Sequence, residues 1–168
     1  MTGLHTSEIE CLARRVCLPP VKWLGVFARD QLPDLTHVPR PVNLVFNTDP
    51  HNKPGQHWLA IYGTRDGPLE LFDSFGMPPS YYGFTISFIY SHSSFQSLAS
   101  DLCGNYTIYF ICLRSRNISF RKIISFLKSI TDPDNYIKNY VFSLQKEYRI
   151  LNPCLRTGQC CTAKCSFC

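Results

Sequence analysis

Residues 95–110 read FQSLASDLCGNYTIYF: a glutamine and a serine, then a Cys-Gly pair, then an apolar run. Covalent catalysis by a cysteine needs a thiolate, a base that generates it, a group that orients the base, and donors for the carbonyl oxygen under attack. Cys103 is a candidate for the first of these. It opens a predicted helix, where unpaired N–H groups and the positive end of the helix dipole favour a thiolate. Gly104, directly after it, would let a substrate backbone come close. Gln96, seven residues upstream in the preceding loop, offers a side-chain amide to stand beside the Cys103 N–H as an oxyanion donor. A buried cysteine alone is a small hydrophobe, and Cys112 within the same run is read that way. Cys103 needs a base to be anything more.

Five histidines compete for that role. His5 is near the N-terminus, His37 and His51 sit among prolines, and His92, close to Gln96 in sequence, stays a rival. His57 begins the apolar segment HWLAIY, where a strand start would fix the imidazole and the Trp58 indole could shield it from water. Asp73 ends the next such segment, LELFD. If the two segments pair across the turn GTRDGP, both residues come to one end of a hairpin, where the carboxylate can accept from the ring and hold its tautomer. Asp66, the nearby rival, is accounted for by the turn itself.

The elements that would position these residues follow from pattern. TSEIECLARRV carries Ser7 with Glu10 three residues on, a capping box for a first helix. Pro19, Pro20, Pro33, Pro39 and Pro41 then exclude any long helix. Strands are expected at Val42 to Phe46, His57 to Tyr62, Leu69 to Asp73 and Phe84 to Tyr90. Beyond Cys103 the signal turns helical. NYTIYFICLRSR is apolar on most faces, as a helix at the centre of a domain would be. A second helix starts after the N-cap Ser119, with Ile123, Ile124 and Leu127 on one side, and a third after Asp132, with Pro133 in its first turn. Helix, strand cluster, helices: the arrangement is α+β, one domain over residues 1–150, with a cysteine-rich tail over 151–168.

The order His-Trp, Phe-Asp-x-Phe-Gly, Gln-Ser, Cys-Gly resembles the adenovirus endopeptidase, or adenain, family of cysteine proteases. The likeness runs through GVFARDQLP, LVFNTDPHNKPGQHWLAIY, LELFDSFGMP and QSLASDLCGNYTIYFI, roughly residues 22 to 113. It implies a papain-like fold of the adenain type, a central mixed β-sheet flanked by helices with the nucleophile at a helix N-terminus. It also implies His57 as base and acid, Asp73 as its orienting acid, Cys103 as nucleophile and Gln96 as oxyanion donor; Trp58 and Gly104, next in sequence to the base and the nucleophile, are expected to bind substrate. Adenain has Glu where this chain has Asp73; the related SUMO-deconjugating proteases have Asp. The expected activity is endopeptidase cleavage of viral or virus-like capsid and core precursors at Gly-containing sites, in the host nucleus or the virion. Similar proteases occur in Polinton/Maverick virus-like transposons. Adenain is activated by a disulfide-linked peptide and by DNA. No cysteine lies between Cys17 and Cys103 here, so covalent activation of that kind is not expected. No cofactor is needed for the chemistry, and a peptide or DNA activator stays open.

The bulk properties bound the alternatives. The 168 residues carry 17 basic and 12 acidic side chains, net +5, with Arg114, Arg116, Arg121, Lys122 and Lys128 forming a stripe that could neutralise phosphates or simply be solvated. No apolar run reaches the roughly 20 residues of a membrane span. The N-terminus lacks the order of a signal peptide, so an intracellular monomer acting on protein substrates is expected. Of nine cysteines, Cys154, Cys160, Cys161, Cys165 and Cys168 crowd the end. With one Cys-x-x-Cys pair and irregular spacing, they read as a thiol-rich tail before a zinc site. A deconjugase acting on a ubiquitin-like modifier would use the same triad. A non-catalytic DNA-packaging protein would leave four competent side chains unused.

Overall fold

A computed structural model describes residues 3–151, with side chains through Glu147, so the tail cysteines from Cys154 onward lie outside the described residues. The element order is α1 (Thr6–Val16), β1 (Lys22–Phe27), β2 (Val42–Asn47), β3 (Trp58–Gly63), β4 (Leu69–Phe72), β5 (Phe88–Tyr90), α2 (Cys103–Ser115), α3 (Phe120–Ser129) and α4 (Pro133–Leu151). The five strands form one mixed sheet in sequence order, parallel at both ends (β1 with β2, β4 with β5) and antiparallel between. This is an α+β domain. No helix among the described residues is long and apolar enough to cross a membrane.

Alternation along the central strands gives the sheet two buried faces. Val45, Ala60, Tyr62 and Phe72 point to one face and join a core cluster that also draws residues from all four helices. Leu44, Phe46, Leu59, Ile61 and Leu71 point to the other, where Leu35, Phe84 and Ile86 from the connecting segments and Phe88 from β5 cover them. α2 crosses the helical face, and its sequence is apolar all round because its neighbours are. Tyr106, Ile108, Tyr109, Phe110 and Ile111 are each at most 2% exposed, and Phe110 stacks on Phe72 at 4.7 Å. Each such side chain contributes about 1.5–3 kcal/mol on burial. Their sum far exceeds the roughly 0.3–1 kcal/mol a charge gains at a helix end, so packing, not electrostatics, fixes where the α2 N-terminus sits.

Three expectations need correction. The first helix begins before Ser7, with His5 as its cap: the Glu8 carboxylate accepts from the His5 N–H at 2.9 Å. Glu10 is freed for a tertiary role, accepting from Trp23 Nε1 at 2.9 Å and the Val26 N–H at 3.1 Å and so tying β1 to α1. β1 itself was not expected; it is a half-buried edge strand with a register shift at Gly25, so no alternation marks it. The strand expected over Phe84 to Tyr90 shrinks to Phe88–Tyr90, because Phe84 and Ile86 leave the ladder to cap the second core.

Candidate active site

The β3–β4 hairpin brings together His57, the candidate base, and Asp73. Ala60 pairs with Phe72 and Gly63 with Leu69, and the same register continued past the strand ends sets Phe75 opposite His57. The two rings are in contact, centroids 4.7 Å apart. His57 Nε2 bonds Asp73 Oδ1 at 2.7 Å, with His57 9% and Asp73 1% exposed. The remaining ring nitrogen, Nδ1, is the one available to a reacting group.

Asp73 is held by four donors. Its Oδ1 also accepts from the Phe75 N–H at 2.9 Å, and its Oδ2 from the Met77 N–H at 2.9 Å and the Tyr82 hydroxyl at 2.7 Å. Burial alone would raise the Asp73 pKa, but the bonds from His57, Tyr82 and the Phe75 amide outweigh it and hold the carboxyl below its ordinary range. Burial likewise favours neutral imidazole at His57. Asp73 and Cys103 together overcome it and lift the ring to about 9. The pair is therefore imidazolium–carboxylate at neutral pH.

Cys103 is the first residue of α2 and is 8% exposed. It lines one cleft of about 1060 Å³ with His57, Trp58 and Gln96. The first N–H groups of the helix have no intrahelical acceptor, and the His57 imidazolium shares the cleft with the sulfur. Gln96 is 5% exposed and pinned at both ends, its Oε1 accepting from Ser74 Oγ at 2.6 Å and its Nε2 donating to the Ser100 carbonyl at 2.8 Å. That second bond uses one of the two amide protons, leaving the other for a ligand. The arrangement can generate a thiolate, receive an oxyanion and return a proton to a leaving group.

The loops carrying Asp73 and Gln96 interlock. Ser74 O accepts from the N–H groups of both Phe95 and Gln96, at 2.8 and 3.2 Å. Gly76, at φ 69°, lets Ser93 backbone atoms approach so closely that a Cβ there would lie 2.5 Å from them. Phe-Asp-x-Phe-Gly is thus a positioning device for the cleft. On the other side, Tyr106 of α2 donates to Phe95 O at 3.2 Å and to Asp134 Oδ1 at 2.8 Å, while Asp134 Oδ2 accepts from the Ser97 N–H at 3.1 Å.

Two sequence expectations change here. Gly104 does not face the cleft: its open side is filled by α1, and a Cβ there would come within 3.0 Å of Leu4 and 3.1 Å of Ile9. It is a helix-packing glycine rather than a substrate-binding one. The basic stripe is also broken up. Arg114 is buried, donating to Glu70 at 2.7 and 3.1 Å with its guanidinium 4.0 Å above the Tyr62 ring. Arg116 donates to the carbonyls of Val16 and Cys112. Arg121, Lys122 and Lys128 are exposed on α3.

Among the other histidines, His92 stacks on Tyr90 and does not line the cleft, whereas His5 does. Sequence reasoning missed Tyr82, for which PPSYYGF carries no signal. It also missed Ser74 and Phe75, whose signal was their place in the Phe-Asp-x-Phe-Gly motif. Among the described residues no group of three or more His, Cys, Asp or Glu could hold a metal ion. No protein-family model matches this sequence, and no curated protein matches it closely enough to count as a relative, so the candidate site stands on its own geometry.

Proposed function

We propose that the chain is a cysteine endopeptidase of the adenain type, papain-like in fold. The observation that carries this reading is the buried 2.7 Å His57–Asp73 bond in the wall of a cleft that also holds a cysteine at a helix N-terminus. Cys103 Sγ attacks the substrate carbonyl carbon as the thiolate. The oxyanion accepts from the Cys103 N–H and the free Gln96 amide proton. The C–N bond breaks as the His57 Nδ1 proton moves to the departing nitrogen. Water, deprotonated at the same Nδ1, then attacks the thioester, and the acid product leaves with Cys103 and His57 restored. Asp73 stays ionised throughout and fixes the ring.

The proposed substrates are capsid or core precursors of a virus or virus-like element, cut on the carboxyl side of small, Gly-containing sequences. The order and spacing of the four motifs support that choice. The exposed cations of α3 leave a DNA activator as part of the reading. Purified protein incubated with a Gly-Gly peptide should cleave it and should be labelled at Cys103 by a thiol-reactive peptide. Cys103→Ala should lose both activities, and His57→Ala the cleavage. Undiminished cleavage by Cys103→Ala would refute the nucleophile.

A further inference from the structure

Two recesses share the His57 ring as part of their walls. The first is the cleft that holds Cys103 and Gln96. The second, about 620 Å³, shares Gln56, His57, Phe75 and Leu98 with it but is lined by neither Cys103 nor Gln96. Its own walls include Met77, Tyr81 and Tyr82.

Chemistry gives the two recesses different roles. The acyl part of a substrate must bring its carbonyl to Cys103 with the oxygen toward Gln96, which places it in the first recess. The leaving nitrogen must collect its proton from His57, so it departs past the imidazole, toward the space that His57 lines and Cys103 does not. We propose that the second recess is a subsite for the leaving-group side of the substrate polypeptide, selective for a large apolar residue immediately after the scissile bond. The proposal rests on the cysteine-peptidase reading above.

Selectivity follows from what lines the recess. Leu98 is 92% exposed and Tyr81 66%, two of the most exposed large apolar side chains among the described residues, and both face this one space. Neither sits on a loose support. The Leu98 loop is held by Asp134 through the Ser97 N–H, and Tyr81 lies edge-on to Tyr82, whose hydroxyl is bonded to Asp73. Uncovered apolar surface beside a reacting ring gains most when a substrate side chain displaces its water. The charged groups that line it are Arg29, Asp49 and the His57 ring, and the last is paired with the Asp73 carboxylate, so the signs balance. Arg29 is already engaged with the Tyr82 carbonyl and the Phe84 ring. A charged side chain therefore has no net field to attract it.

The test uses peptides identical on the acyl side and differing only in the first residue after the scissile bond: Leu, Phe, Gly, Glu or Lys. Covering a Leu side chain in so open a recess should raise kcat/KM over Gly by about tenfold, the low end of what full burial yields. Tyr81→Ser, at an exposed position, should bring that ratio below about threefold. A flat profile, a preference for Gly, Glu or Lys, or a ratio unmoved by Tyr81→Ser overturns the subsite while leaving the peptidase reading in place, because Cys103-dependent cleavage is still seen. Failure to cleave any peptide together with no labelling of Cys103 overturns both.

Discussion

Raising the pH should strip stability from this fold in one defined window. The His57 pKa in the folded protein is about 9 against an ordinary 6.5. A group whose folded pKa is raised contributes stability that is complete below 6.5 and is lost as pH climbs through 9. At about 1.4 kcal/mol per pH unit, that gap sets a ceiling of about 3 kcal/mol. With a urea slope of roughly 2 kcal/mol per molar, the unfolding midpoint should fall by about 1–2 M between about pH 6 and pH 10. Buried thiols such as Cys17, whose pKa is raised by burial, push in the same direction, so the decisive measurement is a difference. Asp73→Asn keeps the size of the side chain and removes the charge that raises His57. Its midpoint at about pH 6 should drop toward the alkaline value, and the pH dependence across the window should shrink to less than about half. The same variant should move the alkaline limb of kcat/KM down by at least about one pH unit. If Asp73→Asn keeps the full pH-dependent loss, the imidazolium–carboxylate pair is not what stabilises the site.

Gln96→Ala should lower kcat by about 10²–10³ with little change in KM, since its free amide proton acts only on developing charge; a KM-only effect would place Gln96 in substrate binding. Gly76→Ala combines a left-handed backbone with a Cβ 2.5 Å from Ser93, so it should cut activity severely even under conditions where circular dichroism shows a folded chain. Arg114→Met leaves Glu70 buried without its cation and should cost about 3–5 kcal/mol in urea unfolding, most of it recovered when Glu70→Leu is added; an unstable double variant would show that the pair contributes more than mutual neutralisation.

What could be read from the chain divides along sequence distance. α3 was legible in full: Ser119 accepts from the Lys122 N–H and the predicted apolar side is the buried one. The hairpin bearing His57 and Asp73 was legible because its turn chemistry and alternation are local. The α1 cap was misread because Glu10 satisfies both a capping pattern and a tertiary one, and only the fold decides between them. Arg114 was misread for the same reason. A cation in the last turn of a helix looks solvated until Glu70, 44 residues away, is placed beneath it.

The positioning of the site was the least legible part, and the cause is physical. The Asp73 carboxylate takes its four bonds from His57, two backbone amides and Tyr82, and the amides belong to a turn whose shape depends on Gly76 meeting Ser93. Gln96 is set by Ser74 and Ser100, and the same Ser74 fixes the Gln96 backbone. Residues 73–76 and 93–100 therefore form one unit: a shift of either loop moves the Asp73 carboxylate that anchors the imidazole and the Gln96 amide together. Catalysis of this kind tolerates errors well under an ångström. An interlock of two short loops, clamped from behind by Tyr106 and Asp134, supplies that tolerance where neither loop could alone. It follows that Asp134→Asn, far from the reacting atoms, should weaken the clamp on the Ser97 amide and so lower kcat and move the alkaline limb set by His57 together; a change in either one without the other would show that the two loops do not move as one.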